Sequence, residues 1–321
     1  MSRRALSLAL RLTVSLGLLA VLALVVADPR ELAARIASLD AAAFVGAIAL
    51  TAGDRVLMAF KWRLLLLARH VRIPLTTAVR AYFASSFAGL FLPVTLGADA
   101  ARVAATRQFG IAAVTASIVV ERTVGAAAVI LVAIGGCALI AGRLAAVPLA
   151  SLLWPLGIAG VVVAIAFPVS LWLSSRWAAQ GADRGTWLRR VAGAYGAYAA
   201  HPATLTVFFL LSIVESLVPA LTAFVVARGL GIQAPAWLFL AAVPIALMVA
   251  RLPVSLGGFG VQEAAFVYLA GSLGLAAEDA IATMLVCDAI LLLILLPAAF
   301  DVSILGQHRQ ARASEPGEAG R

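Results

Sequence analysis

The chain has 321 residues, of which 64% are hydrophobic and only 12% are charged, with a formal net charge of +9 and a mean hydropathy of +1.06. Soluble globular domains carry about 25% charged residues, so that class is excluded, and the basic excess reads as membrane topology rather than as a nucleic-acid footprint. The period-two alternation of a transmembrane barrel is absent, and the expected fold class is all-α, a polytopic membrane helical bundle.

A spanning helix needs about 20 consecutive apolar residues. The first such run is 7–27, behind Arg3 and Arg4. Val25, Val26 and Ala27 have the small-residue character of a signal-peptide cleavage site, but the run is long for a signal-peptide core, and a retained helix keeps the arginines as an inside anchor. A retained extra helix is therefore expected. Runs 41–62, 112–141, 147–173, 203–228 and 279–306 follow, giving six spans. Two further apolar regions, 75–108 and 235–275, are each interrupted by proline and glycine, at LPVTLG (92–97) and LPVSLG (252–257). They are read as re-entrant broken hairpins. Residues 308–321, rich in Arg, Gln, Ala, Glu and Gly, are expected to be a disordered cytoplasmic tail. Cys137 and Cys287 lie inside apolar runs without metal-ligand or disulfide spacing, and read as packing residues.

The two interrupted strings differ at Thr95 and Ser255 alone and stand 160 residues apart (252 − 92). The same offset carries the run near Ala41 to one near His201, and the run after Ile111 to one after Gly271. One transmembrane domain over 1–307 is expected, made of the extra helix, repeat one (41–141) and repeat two (201–306). Three spans between the breaks, an odd number, make this an inverted repeat, the arrangement of many transporters. With both hairpins re-entrant, the inside loops hold 17 basic residues, among them Lys61, Arg63 and Arg102, and the outside loops hold Arg30, Arg35, Arg143 and Arg228. The positive-inside rule then sets both termini in the cytoplasm, at a bacterial cytoplasmic membrane.

Ionisable residues in mid-helix cost about 2.5–3.5 kcal/mol each on insertion scales, so each needs a reason. Asp54, Arg55, Glu121, Arg122, Glu215 and Asp288 lie inside apolar runs. Asp99 and Arg102 follow the first break, while Arg251 precedes the second and Glu263 follows it. Internal ion pairs that orient helices would explain any one of them. Their clustering at both breaks favours a ligand site. Pro93 and Pro253 remove ladder donors, and Gly97, Gly257, Gly258 and Gly260 let the chain turn, which frees backbone polar groups that are tolerated only beside protein or a wet cavity. A glycine turn before Val261 opens a half-helix whose N–H groups suit an anionic headgroup phosphate, with Arg251, Arg102 and Arg122 completing its neutralisation. Glu263 and Asp99 would bind a coupling cation, pair the arginines or recognise an amine on the substrate. The expected binding set is Pro93, Thr95, Gly97, Asp99, Arg102, Glu121, Arg122, Arg251, Pro253, Ser255, Gly257, Gly258, Gly260 and Glu263, with no catalytic residue, metal or cofactor.

At these positions the chain resembles the membrane domain of the lysylphosphatidylglycerol synthase/flippase-like family, the part fused to a soluble aminoacyltransferase in multiple-peptide-resistance proteins. The matching strings are Lys61-Trp62-Arg63-Leu64-Leu65; Leu92-Pro93 with Gly97-Ala98-Asp99-Ala100-Ala101-Arg102; Glu121-Arg122 with Gly125; and the run from Pro253 to Glu263. Ala98 stands where a second glycine is expected, and Gln262 where a basic residue is common. The resemblance implies a repeated helical domain with re-entrant elements that moves, or helps to move, a modified phospholipid between leaflets. Only 15 residues follow Gly306 (321 − 306), so no aminoacyltransferase domain is expected, and no phosphate-binding loop for a nucleotide is seen. Three functions stay open: a flippase for an anionic or modified, for example aminoacylated, lipid; an accessory subunit presenting lipid to a separate lipid-modifying enzyme; and an enzyme acting on a lipid headgroup or isoprenoid phosphate. The histidines, His70, His201 and His308, sit at run ends, which disfavours the last.

Overall fold

The computed structural model describes residues 30, 34, 36–91, 95–141, 149–179, 186–250 and 259–300, and every regular element among them is helical. The first apolar run and the C-terminal tail lie outside them. In chain order the helices are α1 (Ala41–Ala68), α2 (Leu75–Phe91), α3 (Thr95–Ala105), α4 (Ile111–Leu139), α5 (Leu149–Ala179), α6 (Trp187–Gly196), α7 (Pro202–Gly229), α8 (Ala236–Ala250), α9 (Val261–Ser272), α10 (Ala277–Leu295) and the single turn α11 (Pro297–Phe300).

Four of these, α1, α4, α5 and α7, are long and apolar enough to cross a membrane. Helix α10 corresponds to the expected last span and carries Glu278, Asp279 and Asp288. At the two breaks the chain forms pairs of short helices that pack on one another, α2 on α3 and α8 on α9. At 1.5 Å per residue, the longest of the four reaches about 25 Å, short of a hydrocarbon core of about 30 Å.

Local chemistry sets the ends of α1 and α7. Asp40 caps α1, its Oδ2 accepting from the Ala43 N–H at 2.9 Å. Both helices close with the same reversal: the His70 N–H donates to Leu67 and the Val71 N–H to Leu66, while Gly231 donates to Arg228 and Ile232 to Ala227. The reversal needs a left-handed residue, which is His70 (φ 58°) in one copy and Gly231 (φ 77°) in the other.

Burial repeats between the halves. Shifted by 161 (202 − 41), buried Ala47, Ala59, Lys61, Trp62, Leu65 and Leu66 of α1 fall on buried Phe208, Ala220, Thr222, Ala223, Val226 and Ala227 of α7. The same shift carries Ala78, Ala81, Tyr82 and Ala84 of α2 to Phe239, Ala242, Val243 and Ile245 of α8. After the breaks the register changes. Buried Arg102, Ala105 and Thr106 of α3 match Phe266, Leu269 and Ala270 of α9 at 164, and Val114, Ala116, Ser117, Ile118 and Val120 of α4 match Ala280, Ala282, Thr283, Met284 and Val286 of α10 at 166. The burial match between the halves thus shifts from 161 before the breaks to 164 and 166 after them.

The largest apolar core lies where α4, α7, α8, α9 and α10 meet. Its closest approach is at Gly136, where an added Cβ would stand 2.9 Å from the Ala241 carbonyl oxygen of α8. Helix α5 is different: Trp154, Ile158, Val161, Ile165 and Trp172 are exposed along its length, as on a lipid-facing helix. Helix α6 stands where the charge pattern suggests an inside loop, and it packs on α5 and α4 with Arg189 against the Trp177 ring.

Candidate functional site

Charged side chains that the apolar runs isolate in sequence are gathered by the fold into three linked groups. The first joins the first hairpin to α4. Arg102 is 2% exposed and donates from Nη1 to Glu121 Oε2 at 2.8 Å and from Nη2 to Asp99 Oδ1 at 3.1 Å. Arg122 grips the same Asp99 with two bonds, Nη2 to Oδ1 at 2.7 Å and Nε to Oδ2 at 3.1 Å. The Tyr82 hydroxyl donates to Glu121 Oε1 at 2.8 Å. The Arg102 guanidinium lies between aromatic faces, 4.6 Å from the Tyr82 ring centre and 5.0 Å from that of Trp62. Burying a guanidinium is tolerable here because it meets two carboxylates and two rings together.

The second group ties the repeats together. Buried Lys61 of α1 donates to Ser212 Oγ at 2.8 Å and pairs with Glu215 of α7. The third lines a cavity of about 160 Å³ enclosed by α1, α7, α8, α9 and α10. Its polar wall holds Asp54, Arg55, Gln262, Glu263 and Asp288. Asp54 and Arg55 sit at the middle of the 28-residue α1, joined by an Nη2 to Oδ2 bond of 2.7 Å. Asp54 is 4% exposed, and its second oxygen has no partner.

The N-terminus of α9 opens into this region. Gly260 has φ 82°, a backbone state open to glycine without strain, and its N–H donates to the Glu263 carboxylate. One free donor of the half-helix is thus already met by the helix's own third residue, a self-capping turn.

The family described as lysylphosphatidylglycerol synthase TM region matches residues 8–299. The chain belongs to that family. It is accordingly a multi-pass membrane protein of a lipid-related family, and its long apolar helices agree with this. No protein of curated function matches the chain.

Within this lysylphosphatidylglycerol synthase TM region the structure unites Asp99, Arg102, Glu121 and Arg122 of the expected binding set in one network. It places Glu263 at a separate cavity with α10, and the Gly260 N–H donates to that carboxylate. Gly97 is inside α3. Thr95 begins α3, and its side chain, like Pro93, Arg251, Pro253, Ser255, Gly257 and Gly258, lies outside the described residues. Lys61 and Arg102 are not loop charges: α1 runs on to Ala68, and both side chains are buried in ion pairs.

Sequence reasoning missed Tyr82, Ser117 and Ser212, which serve the charged groups through single hydroxyls; the Trp62 indole N–H, for instance, donates to Ser117 Oγ at 2.9 Å. Nothing in a lone hydroxyl on an apolar helix marks it. Asp54, Arg55 and Asp288 did carry a signal, their charge at mid-helix, but the expected site centres on the breaks instead.

Proposed function

We propose that the protein moves a lipid with an anionic or modified headgroup between the two leaflets. The observation that carries this reading is the charged cavity at mid-helix depth, built from α1 of one repeat and from α7, α8, α9 and α10 of the other. Charge buried at that depth in a membrane domain is costly unless it serves a path for something polar. Discontinuous helices from two repeats are how many transporters build such a path. In this reading the chain performs no covalent chemistry. Arg251 and the turn from 257 to 263 meet the phosphate, while Asp99 holds Arg122 in place beside the first break. Both termini are cytoplasmic, the first hairpin opens inward and the second outward.

The purified protein in liposomes containing a fluorescent anionic phospholipid tests this. A membrane-impermeant quencher should reach the inner-leaflet probe far faster than in empty vesicles. Equal rates in the two would contradict the reading. Mass spectrometry of lipid carried through purification should show an anionic headgroup enriched over the bulk membrane.

A further inference from the structure

The two repeats treat one ion pair in opposite ways. In repeat one, Asp99 of α3 is gripped by Arg122 of α4. In the registers fixed by burial, 164 for the third helix and 166 for the fourth, Asp99 corresponds to Glu263 (99 + 164) and Arg122 to Asp288 (122 + 166). The arginine has become an aspartate, so an acid faces an acid. Glu263 and Asp288 line the same cavity.

Two carboxylates have no hydrogen to share, so a bond between them requires one proton. Among the described residues, the other charges around the cavity do not remove that need. The Arg55 guanidinium of α1 is matched by Asp54, and beyond it Lys61 is matched by Glu215. Helices α7 and α8 present only Val218, Pro219, Thr222, Val243 and Leu247, and Cys287 is the one other titratable group on α10 that reaches the cavity. Asp54, more than nine-tenths buried, turns an unpartnered Oδ1 to the same space, and Asp288 Oδ2 is likewise buried without a partner. Asp54, Glu263 and Asp288 thus line one cavity with a single arginine among its described lining residues. They do not converge as metal ligands, and no such cluster exists among the described residues.

We infer that Glu263 and Asp288 form a carboxyl–carboxylate pair holding one exchangeable proton, which the protein binds and releases as it moves lipid. The Gly260 N–H, by donating to Glu263, places the negative charge on that member. The proton then resides on Asp288, at the wall of the cavity. Its part in transport rests on the flippase reading, whereas the bound proton itself does not.

Infrared difference spectroscopy of the purified full chain in lipid nanodiscs, in light and heavy water, reads the proton directly. The wild type should show the C=O stretch of a protonated carboxyl at neutral pH, shifted by deuteration and unmoved by sodium. Asp288→Asn should abolish that band. Glu263→Gln, whose amide can donate to an ionised Asp288, should weaken it, and Glu278→Gln, on the first turn of α10, should leave it unchanged. A wild type without the band overturns the inference whether or not the variants fold, as does a band that survives in well-folded Asp288→Asn or is lost on adding sodium. If the band behaves as expected while lipid moves no faster than in empty vesicles, the transport reading fails and the proton site stands. If lipid moves and the band is absent, the reverse holds.

Discussion

Arg102 illustrates how a charge can be integral to a membrane core. It is held by Asp99, Glu121 and two aromatic faces, so deleting it leaves Glu121 at depth without its cation, while Asp99 keeps Arg122. Breaking a buried pair from one side costs about 3–5 kcal/mol, and Arg102→Ala is expected to lower thermal stability in detergent by that order, read as loss of the monodisperse peak after heating. Arg102→Lys should recover only part, because an ammonium lacks the planar fork that spans both acids. His70 gives a change of opposite sign. It occupies the left-handed position that Gly231 fills in the other repeat, where a side chain costs about 1–2 kcal/mol. His70→Gly should therefore raise the melting temperature, and Gly231→His should lower it.

The hairpins and the helix crossings belong to the scale of elements. Proline and glycine at 92–97 and 252–257 are enough to expect two broken regions, because in each a proline and a glycine fall within six residues of an otherwise apolar run. Where each arm begins was not legible. Repeat one starts its second arm at Thr95, within the matching string, and repeat two starts at Val261, beyond it, so aligning the strings misplaces the helices on their C-terminal side. Amphipathic α6 is hidden for another reason: ten residues with two arginines resemble a loop when read by hydropathy alone. Small-residue crossings can be tested in adjacent positions. A Cβ at Gly136 would meet the Ala241 backbone, whereas one at Gly135 meets nothing within 4 Å. Gly136→Ala should destabilise by about 1–3 kcal/mol, the usual cost of overpacking, and Gly135→Ala should be neutral or slightly stabilising.

For the whole molecule, composition made the membrane bundle and its four long helices readable, since apolar length is a one-dimensional property. Which charges meet is three-dimensional. Lys61 and Glu215 are 154 residues apart, and Asp54, Glu263 and Asp288 share a cavity only because α1 packs with the second repeat. The orientation of the bundle is open to direct labelling: in a background without Cys137 and Cys287, Ala104→Cys, at an exposed position of α3, should react with an impermeant thiol reagent from the cytoplasmic side alone. Reaction from outside intact cells would reverse the first hairpin. The central claim is that an anionic headgroup crosses through the charge gathered between the repeats. Its most direct test is the lipid translocation rate in liposomes reconstituted with equal amounts of wild type, Arg251→Lys and Arg251→Ala. Intermediate rates are expected for lysine, which keeps the charge but not the fork, and rates near those of empty vesicles for alanine; well-folded Arg251→Ala moving lipid at the wild-type rate would contradict the claim.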